Sequence, residues 1–367
     1  MSRSGPVGIG IVGAGVISDT YLENLATFAD TEVLAIGDLS PEAARAKAAK
    51  HGIAVAGDVD VVLADPNVEI VVNLTVPAAH AEVSGRALAA GRHVWSEKPL
   101  ALDRAGGRAL LEVADVAGLR LGCAPDTFLG AGLQTARRLI DEGAIGEPLS
   151  ALALLQSPGP DAWHPNPAFL FQAGGGPLFD LGPYYLTALV QVLGSVESVA
   201  AVASIARDRR TIGAGPRAGE TFEVTVPSHV GALVRFAGGA SAQAVFSFDS
   251  ALPRILLEVT GRDATLVLPD PNGFDGEIQI RRRGASAAET IARTAAPSTR
   301  GTGVLEMARA IRANRPHRAS GDLAYHVLDV MTSIAESASR GAFVPVESAV
   351  AVAPLLPDDW DARRATV

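Results

Sequence analysis

Val7-Gly-Ile-Gly-Ile-Val12-Gly13-Ala14-Gly15-Val16-Ile17-Ser18 decides how the first third of this chain folds. A short apolar run of strand length ends on Gly-Ala-Gly and passes straight into a helical pattern. Gly13 and Gly15 permit a tight turn, and they let the backbone N–H groups of the turn and of Ala14, Val16 and Ile17 approach a pyrophosphate at a helix N-terminus, where the helix dipole favours negative charge. Ser18 stands where only a small residue fits between helix and strand. Asp38 ends the next strand, about 20 residues further on, where a carboxylate accepts ribose hydroxyls. Its charge opposes the 2′-phosphate of NADP, and Leu39, Ser40, Pro41 and Glu42 bring no cation. NAD is therefore expected, with Arg45 on the next turn leaving NADP open.

Working outward, apolar strand-length runs alternate with amphipathic stretches as far as residue 125. Strands are expected at Val7–Val12, Glu32–Ile36, Ile70–Leu74, His93–Trp95 and Leu119–Cys123, with helices between them. That alternation predicts an α/β domain over residues 1–125, a doubly wound parallel sheet of the Rossmann type. From Asp126 the grammar changes. A helix, a strand and a Pro/Gly-dense loop (157–177) lead to a helix over Leu178–Leu193 and a succession of strands. This predicts an α+β domain over 126–367 with a mostly antiparallel sheet. The Ala/Ser/Thr-rich stretch 285–303 reads as a surface loop.

With 367 residues, 48% apolar and 19% charged, the chain has material for two or three cores and too little charge for disorder. A formal charge of −9 disfavours nucleic acid and anionic membranes as partners. No apolar run is long enough to span a bilayer. The lone cysteine, Cys123, excludes an intrachain disulfide and fits a cytoplasmic location, and no Cys/His cluster has metal-ligand spacing.

Only three of the 31 Lys and Arg residues are lysines. Lys47 and Lys50 lie on an expected surface helix and read as solvated charges. Lys98, in Ser96-Glu97-Lys98-Pro99, follows the strand His93–Trp95 at the carboxyl edge of the sheet, where doubly wound proteins bind ligands. An ammonium there can donate to a substrate oxygen and can titrate, which a guanidinium cannot.

Together with the Gly13-Ala14-Gly15 turn and Glu97-Lys98-Pro99, two further segments make the chain resemble the Gfo/Idh/MocA oxidoreductases. They are Asn73-Leu-Thr75-Val-Pro77-Ala-Ala-His80 and Gly174-Gly-Gly-Pro-Leu-Phe-Asp180-Leu-Gly182-Pro-Tyr184. The resemblance spans nearly the whole chain. It implies a nicotinamide-dependent dehydrogenase or reductase acting on a secondary alcohol or ketone of a sugar, sugar derivative or cyclitol. It further implies a homodimer or homotetramer built through the C-terminal sheet domain, and a cis Lys98–Pro99 bond. Asn73, Thr75, Pro77, His80, Glu97 and Lys98 join the cofactor contacts, and Trp163, His164 and Asp126 the substrate contacts.

Relatives carry D-x-G-x-H where this chain has Asp180-Leu-Gly-Pro-Tyr184. Either Asp180 and Tyr184 share a helical face, or Pro183 opens the helix and Asp180 lies on the turn before it. Hydride transfer leaves an oxygen that must lose or gain a proton. A phenol is a weak base at neutral pH, but a neighbouring ammonium favours phenolate. Tyr184 is thus expected to shuttle the proton, Lys98 to polarise the oxygen, and Asp180 to orient a hydroxyl or hold Lys98 charged. The competing reading makes Tyr184 packing, with the histidine's task either lost or done by Lys98. Tyr185 is expected in the core, His326 as a structural histidine, and Arg207, Arg209, Arg210 and Arg281–Arg283 as solvated strand ends. Two rival functions share the cofactor site: cleavage of a glycosidic bond by transient oxidation with retained NAD, and a non-enzymatic NAD-binding sensor or co-regulator, which has no reason to keep Lys98 with Asp180.

Overall fold

In the computed structural model, which describes residues 4–367, the run Val7–Val12 is strand β1 and all six of its residues are buried. Burial on both faces is what a central parallel strand requires. β2 (Thr31–Gly37), β3 (Val55–Gly57), β4 (Ile70–Asn73), β5 (His93–Ser96) and β6 (Leu121–Cys123) join it in the order β3-β2-β1-β4-β5-β6. Every pairing is parallel. The crossover helices are α1 (Val16–Leu25), α2 (Pro41–His51), α3 (Val59–Ala64), α4 (His80–Ala89) and α5 (Arg104–Val116). Local chemistry sets their ends. The Ser40 side chain accepts from the Ala43 N–H ahead of Pro41, Gly52 closes α2 at φ 71°, and Asp103 caps α5 through the Gly106 N–H.

Strand β3 and helix α3 are absent from the sequence reading. Three residues ending on glycine show no alternation, and β3 exists because its backbone pairs with Ala35–Gly37. Lys47 is not a solvated charge either. With Lys50 and His51 it surrounds the Asp19 carboxylate at 2.7, 2.9 and 2.7 Å, and those three partners hold the Asp19 pKa far below the usual carboxylate range.

The chain folds into two compact units, the first running through Leu129 and regaining Ala296–Tyr325 and Leu356–Val367. The expected break at 125/126 therefore falls just short of Leu129, while the expected single block 126–367 does not hold. The helix Thr302–Arg312 belongs with the first sheet because Arg309 pairs with Asp30 at 2.7 Å and Arg312 with Glu69 at 2.6 Å.

The second unit comprises Gly130–Ala295 and His326–Leu355. After α6 (Ala131–Asp141) come β7 (Pro148–Gln156), α7 (Gly176–Asp180), α8 (Gly182–Leu193), β8 (Val196–Ser204), β9 (Arg209–Thr211), β10 (Thr221–Glu223), β11 (His229–Phe236), β12 (Ser241–Ser247), β13 (Arg254–Gly261), β14 (Ala264–Leu268), β15 (Ile278–Arg282) and β16 (Glu289–Ile291); β17 (Val344–Pro345) follows the long helix Gly321–Arg340. Nine strands form one sheet, β16-β15-β14-β13-β7-β12-β11-β8-β17, and only the β7–β12 pair is parallel. Ala151, Ala153 and Leu155 of β7 face the core, where α8 packs. The opposite face alternates into partial exposure, with Val202 at 70% and Leu233 at 49%. Two expectations change. β16 lies inside the stretch read as a surface loop, and the helix expected over Leu178–Leu193 is broken at Leu181. Among the described residues no helix is long and apolar enough to cross a membrane.

Candidate functional site

The glycine turn leaves β1 with Gly13 at φ 109°, a conformation L side chains rarely adopt, and a Cβ there would lie 2.6 Å from the Leu74 carbonyl. Gly15 differs. Its φ is −69°, and a Cβ would meet nothing within 4 Å among the described residues, so neither backbone conformation nor packing against them demands glycine. The room lies at the first turn of α1, which no side chain caps, and that is the fit a pyrophosphate needs. Ser18 is fully buried with its hydroxyl donating to the Gly15 carbonyl at 2.6 Å, which locks the turn as the small-residue reading expects. Asp38 accepts from the Ala14 N–H at 2.7 Å and the Ser40 N–H at 2.8 Å. It therefore pins the turn itself, and the Ala14 N–H is already engaged within the chain.

Three large apolar side chains stand exposed directly beyond the strands of this edge: Val16 and Leu39 at 92% each and Val76 at 62%. Such exposure at the carboxyl edge suits the flat faces of a dinucleotide. Sequence reasoning passed over Leu39 and Val76, although their place one to three residues past a strand end beside the switch point was the available signal.

Lys98 is held by its neighbours' backbone and side chains. The Glu97 N–H donates to the Asn73 carbonyl at 2.8 Å, and the Lys98 N–H donates to Glu97 Oε2 at 3.1 Å. Tyr21 donates to Glu97 Oε1 at 2.8 Å and itself accepts from Trp95 Nε1 at 3.3 Å. The Lys98–Pro99 bond is cis, as the resemblance implies, and so is Ala124–Pro125. His80 lies between the Pro99 carbonyl (Nδ1, 2.7 Å) and the Thr75 carbonyl (Nε2, 3.0 Å). Burial pushes its pKa below the ordinary histidine value, and a neutral ring has one N–H for these two acceptors. Asn73 is fully buried; its amide donates to the His80 carbonyl and Ser84 Oγ, and its Oδ1 accepts from Thr75 N and Oγ1.

Three expected cofactor contacts are corrected on this ground. The side chains of Asn73, His80 and Glu97 are 0, 1 and 9% exposed and are spent inside the chain, so they position the loops that carry Thr75, Pro77 and Lys98. Those three residues remain partly exposed at the edge.

Asp126 is corrected as well. Expected against substrate, it is fully buried, and its Oδ2 accepts from the N–H groups of Gly301 (2.9 Å) and Gly303 (3.0 Å), capping the helix Thr302–Arg312 from far along the chain. Its Oδ1 has no hydrogen-bond partner among the described residues, and burial raises its pKa from 3.8 to about 6. The folded chain then binds a proton more tightly than the unfolded chain. Stability from this group falls as pH rises from about 4 to about 6 and is flat above, a loss of about 3 kcal/mol in total. Urea unfolding of wild type and Asp126→Asn across pH 4–7 is expected to show that slope in the wild type and its disappearance in the variant; parallel curves would refute it.

In the second unit, Asp180 ends α7, Leu181 links it to α8, and the Tyr184 N–H donates to the Leu181 carbonyl at 3.2 Å. Of the two arrangements left open by the sequence, this is the one with Pro183 in the first turn of the second helix. Asp180 is half-buried and Tyr184 is 6% exposed. Tyr185 faces the core at 1% exposure, its ring edge-on to Phe246 at 5.8 Å. His326 is structural: Nε2 accepts from the Val196 N–H at 3.0 Å, and Nδ1 donates to Ser348 Oγ at 2.9 Å. Trp163 and His164 follow the turn Pro160–Ala162, with Trp163 67% exposed. Arg210, read as a solvated strand end, is 3% exposed.

A glycine turn, a carboxylate at the end of the next strand and a lysine at one sheet edge, with a second unit built on a largely antiparallel sheet, define a dinucleotide-binding protein of the doubly wound class. The model described as the oxidoreductase family with an NAD-binding Rossmann fold matches residues 7–124, and that described as the GFO/IDH/MocA C-terminal domain matches 133–267. The chain belongs to the Gfo/Idh/MocA family of NAD-binding oxidoreductases. It is 28% identical to the 1,5-anhydro-D-fructose reductase of Ensifer adhaerens over 70% of this chain and 74% of that one. It is 27% identical to the myo-inositol 2-dehydrogenase of Thermotoga maritima over 73% of this chain and 80% of that one. In fold it is similar to apo levoglucosan dehydrogenase, with a TM-score of 0.82 at 23% identity over 95% of this chain and 100% of that one. It is likewise similar to an NAD-binding oxidoreductase from Klebsiella pneumoniae, at 0.81 and 24% over 93% and 99%.

Proposed function

We propose that this protein oxidises a secondary alcohol of a sugar, sugar derivative or cyclitol, or reduces the matching ketone, using NAD in preference to NADP. Bound NAD supplies the hydride acceptor, held at the Gly13–Ile17 turn with Asp38 toward the ribose. Lys98 donates to the substrate oxygen and stabilises charge developing there; Tyr184 accepts the proton; Asp180 orients a neighbouring hydroxyl. The observation that carries this reading is the anchoring of Lys98 at the sheet edge through Glu97, Asn73 and Pro99. Buried side chains invested in fixing one lysine fit catalysis better than they fit sensing. The relatives are named as dehydrogenases and reductases, which favours net redox over glycoside cleavage with retained cofactor.

The test is NADH formation at 340 nm over a panel that includes myo-inositol, D-xylose and levoglucosan, in parallel with NADP. Turnover with at least one polyol is expected, with kcat/KM at least about tenfold higher for NAD, as charge repulsion of about 1.4 kcal/mol would give. No absorbance change with any member, in either direction of the reaction, would reject the reading. The same proposal includes self-association through the partly exposed sheet face, where register sets Val202, Val245 and Leu154 in one row across β8, β12 and β7 with Gly231 of β11 among them, and Leu233 stands two residues along β11 in the next row. A solution mass of one chain by light scattering would remove it. A cytoplasmic location accords with the buried free thiol of Cys123 and is tested by cell fractionation.

A further inference from the structure

We infer that Arg210 is a positioning residue that pins the turn carrying the aromatic wall Trp163–His164–Phe169 and thereby sets how tightly substrate is held. The inference rests on the proposed function in taking that wall as a substrate contact. Burying a guanidinium is costly unless its charge is paired and its donors are filled. Here the side chain is 1% exposed and its two terminal nitrogens are supplied from both sides, while Nε has no hydrogen-bond partner among the described residues. Nη1 donates to Asp161 Oδ1 at 2.7 Å and to the Pro158 carbonyl at 3.0 Å. Nη2 donates to the Phe248 carbonyl at 2.8 Å and to Asp249 Oδ1. The guanidinium carbon lies 4.7 Å from the centroid of the buried Phe171 ring. One face of the ion therefore grips the loop and the other the end of β12.

The loop is shaped to receive it. Gly159 has φ 110°, and a Cβ there would stand 2.6 Å from Arg210 Nη1 and 2.5 Å from Asp161 Oδ1, so any larger residue would wedge the pair apart. From Asp161 the constraint passes along the backbone. Its carbonyl accepts the Gly213 N–H at 2.8 Å, and the Pro160 carbonyl accepts the His164 N–H at 2.8 Å. Three rings follow in edge-to-face contact, Trp163 to His164 at 5.6 Å and His164 to Phe169 at 5.6 Å. Trp163 and Phe169 nonetheless stay 67% and 43% exposed. Large aromatic faces left open on a turn fixed by a buried ion are suited to stacking on the C–H face of a sugar or cyclitol ring.

Asp161→Asn keeps the shape of the side chain, itself 15% exposed, and removes only the charge on the loop side. With the most active polyol of the panel, KM for that polyol is expected to rise about tenfold, while KM for NAD stays unchanged and kcat stays within about threefold. Amide exchange over residues 157–170 should accelerate about tenfold and not elsewhere. Arg210→Lys, which retains the charge and loses the planar fork, should move both readouts the same way. Asp161→Asn combined with Trp163→Ala should be no worse than Trp163→Ala alone. An unchanged polyol KM, a parallel rise for NAD, additive effects or unaltered exchange would each overturn the inference, since a merely structural arginine lowers melting temperature without splitting the two KM values. A wild type inactive on every polyol would reject the proposed function instead, and exchange over 157–170 would still decide whether Arg210 pins the loop.

Discussion

Lys98→Met is expected to lower kcat by about three orders of magnitude while leaving NADH binding, read by fluorescence titration, within about threefold of wild type. Methionine matches the length of the stem and removes only the ammonium. Donors aimed at a developing oxyanion contribute about 10²–10³ in kcat, and a group that also assists proton movement adds to that. The loss should appear in kcat because the backbone of residue 98 is fixed independently of its side chain: Glu97 N–H to Asn73, Glu97 Oε2 to Lys98 N–H, and Pro99 carbonyl to His80. Lys98→Arg should be nearly as impaired, since a guanidinium keeps the charge but presents a planar fork and does not titrate near neutrality. A Lys98→Met enzyme within tenfold of wild type would show that the oxygen is polarised by another group.

Tyr184→Phe is the second large effect, expected at about 10²–10³ in kcat with NAD affinity intact. The change deletes one oxygen from a residue that is 6% exposed in the first turn of α8, so the ring and the helix should survive it. If the phenol carries the proton, the rising limb of the wild-type pH–rate profile for alcohol oxidation disappears in the variant, leaving a slow reaction nearly flat in pH. Retention of that limb with near-normal turnover would assign Tyr184 to packing and return the proton to Lys98.

The site was unevenly legible. Gly13, Gly15, Ser18 and Asp38 stand where their spacing placed them, because turn and cap chemistry acts over a few residues and a strand–turn–helix leaves little freedom. Lys98 was legible by contrast with a chain that otherwise uses arginine. Asn73 and His80 carried the right motif and the wrong role. Motif spacing places a residue in a loop but does not say whether its side chain looks outward, and both are consumed by hydrogen bonds that hold the loop. Asp126 and Arg210 went further astray: a carboxylate after a strand was expected against substrate and an arginine in a basic cluster as a solvated strand end, and both are buried.

What the sequence determined by itself was local: the parallel-strand alternation, the glycine turn between strand and helix and the lysine motif at the strand end. What only the tertiary structure decided was partnership at long range. Asp126 caps a helix 175 residues away, and Asp30 and Glu69 draw the helix Thr302–Arg312 back to the first sheet. Periodicity and capping report which face of a segment avoids water. Desolvation and ion pairing depend on what packs against that face, and this is fixed only once distant parts of the chain have met.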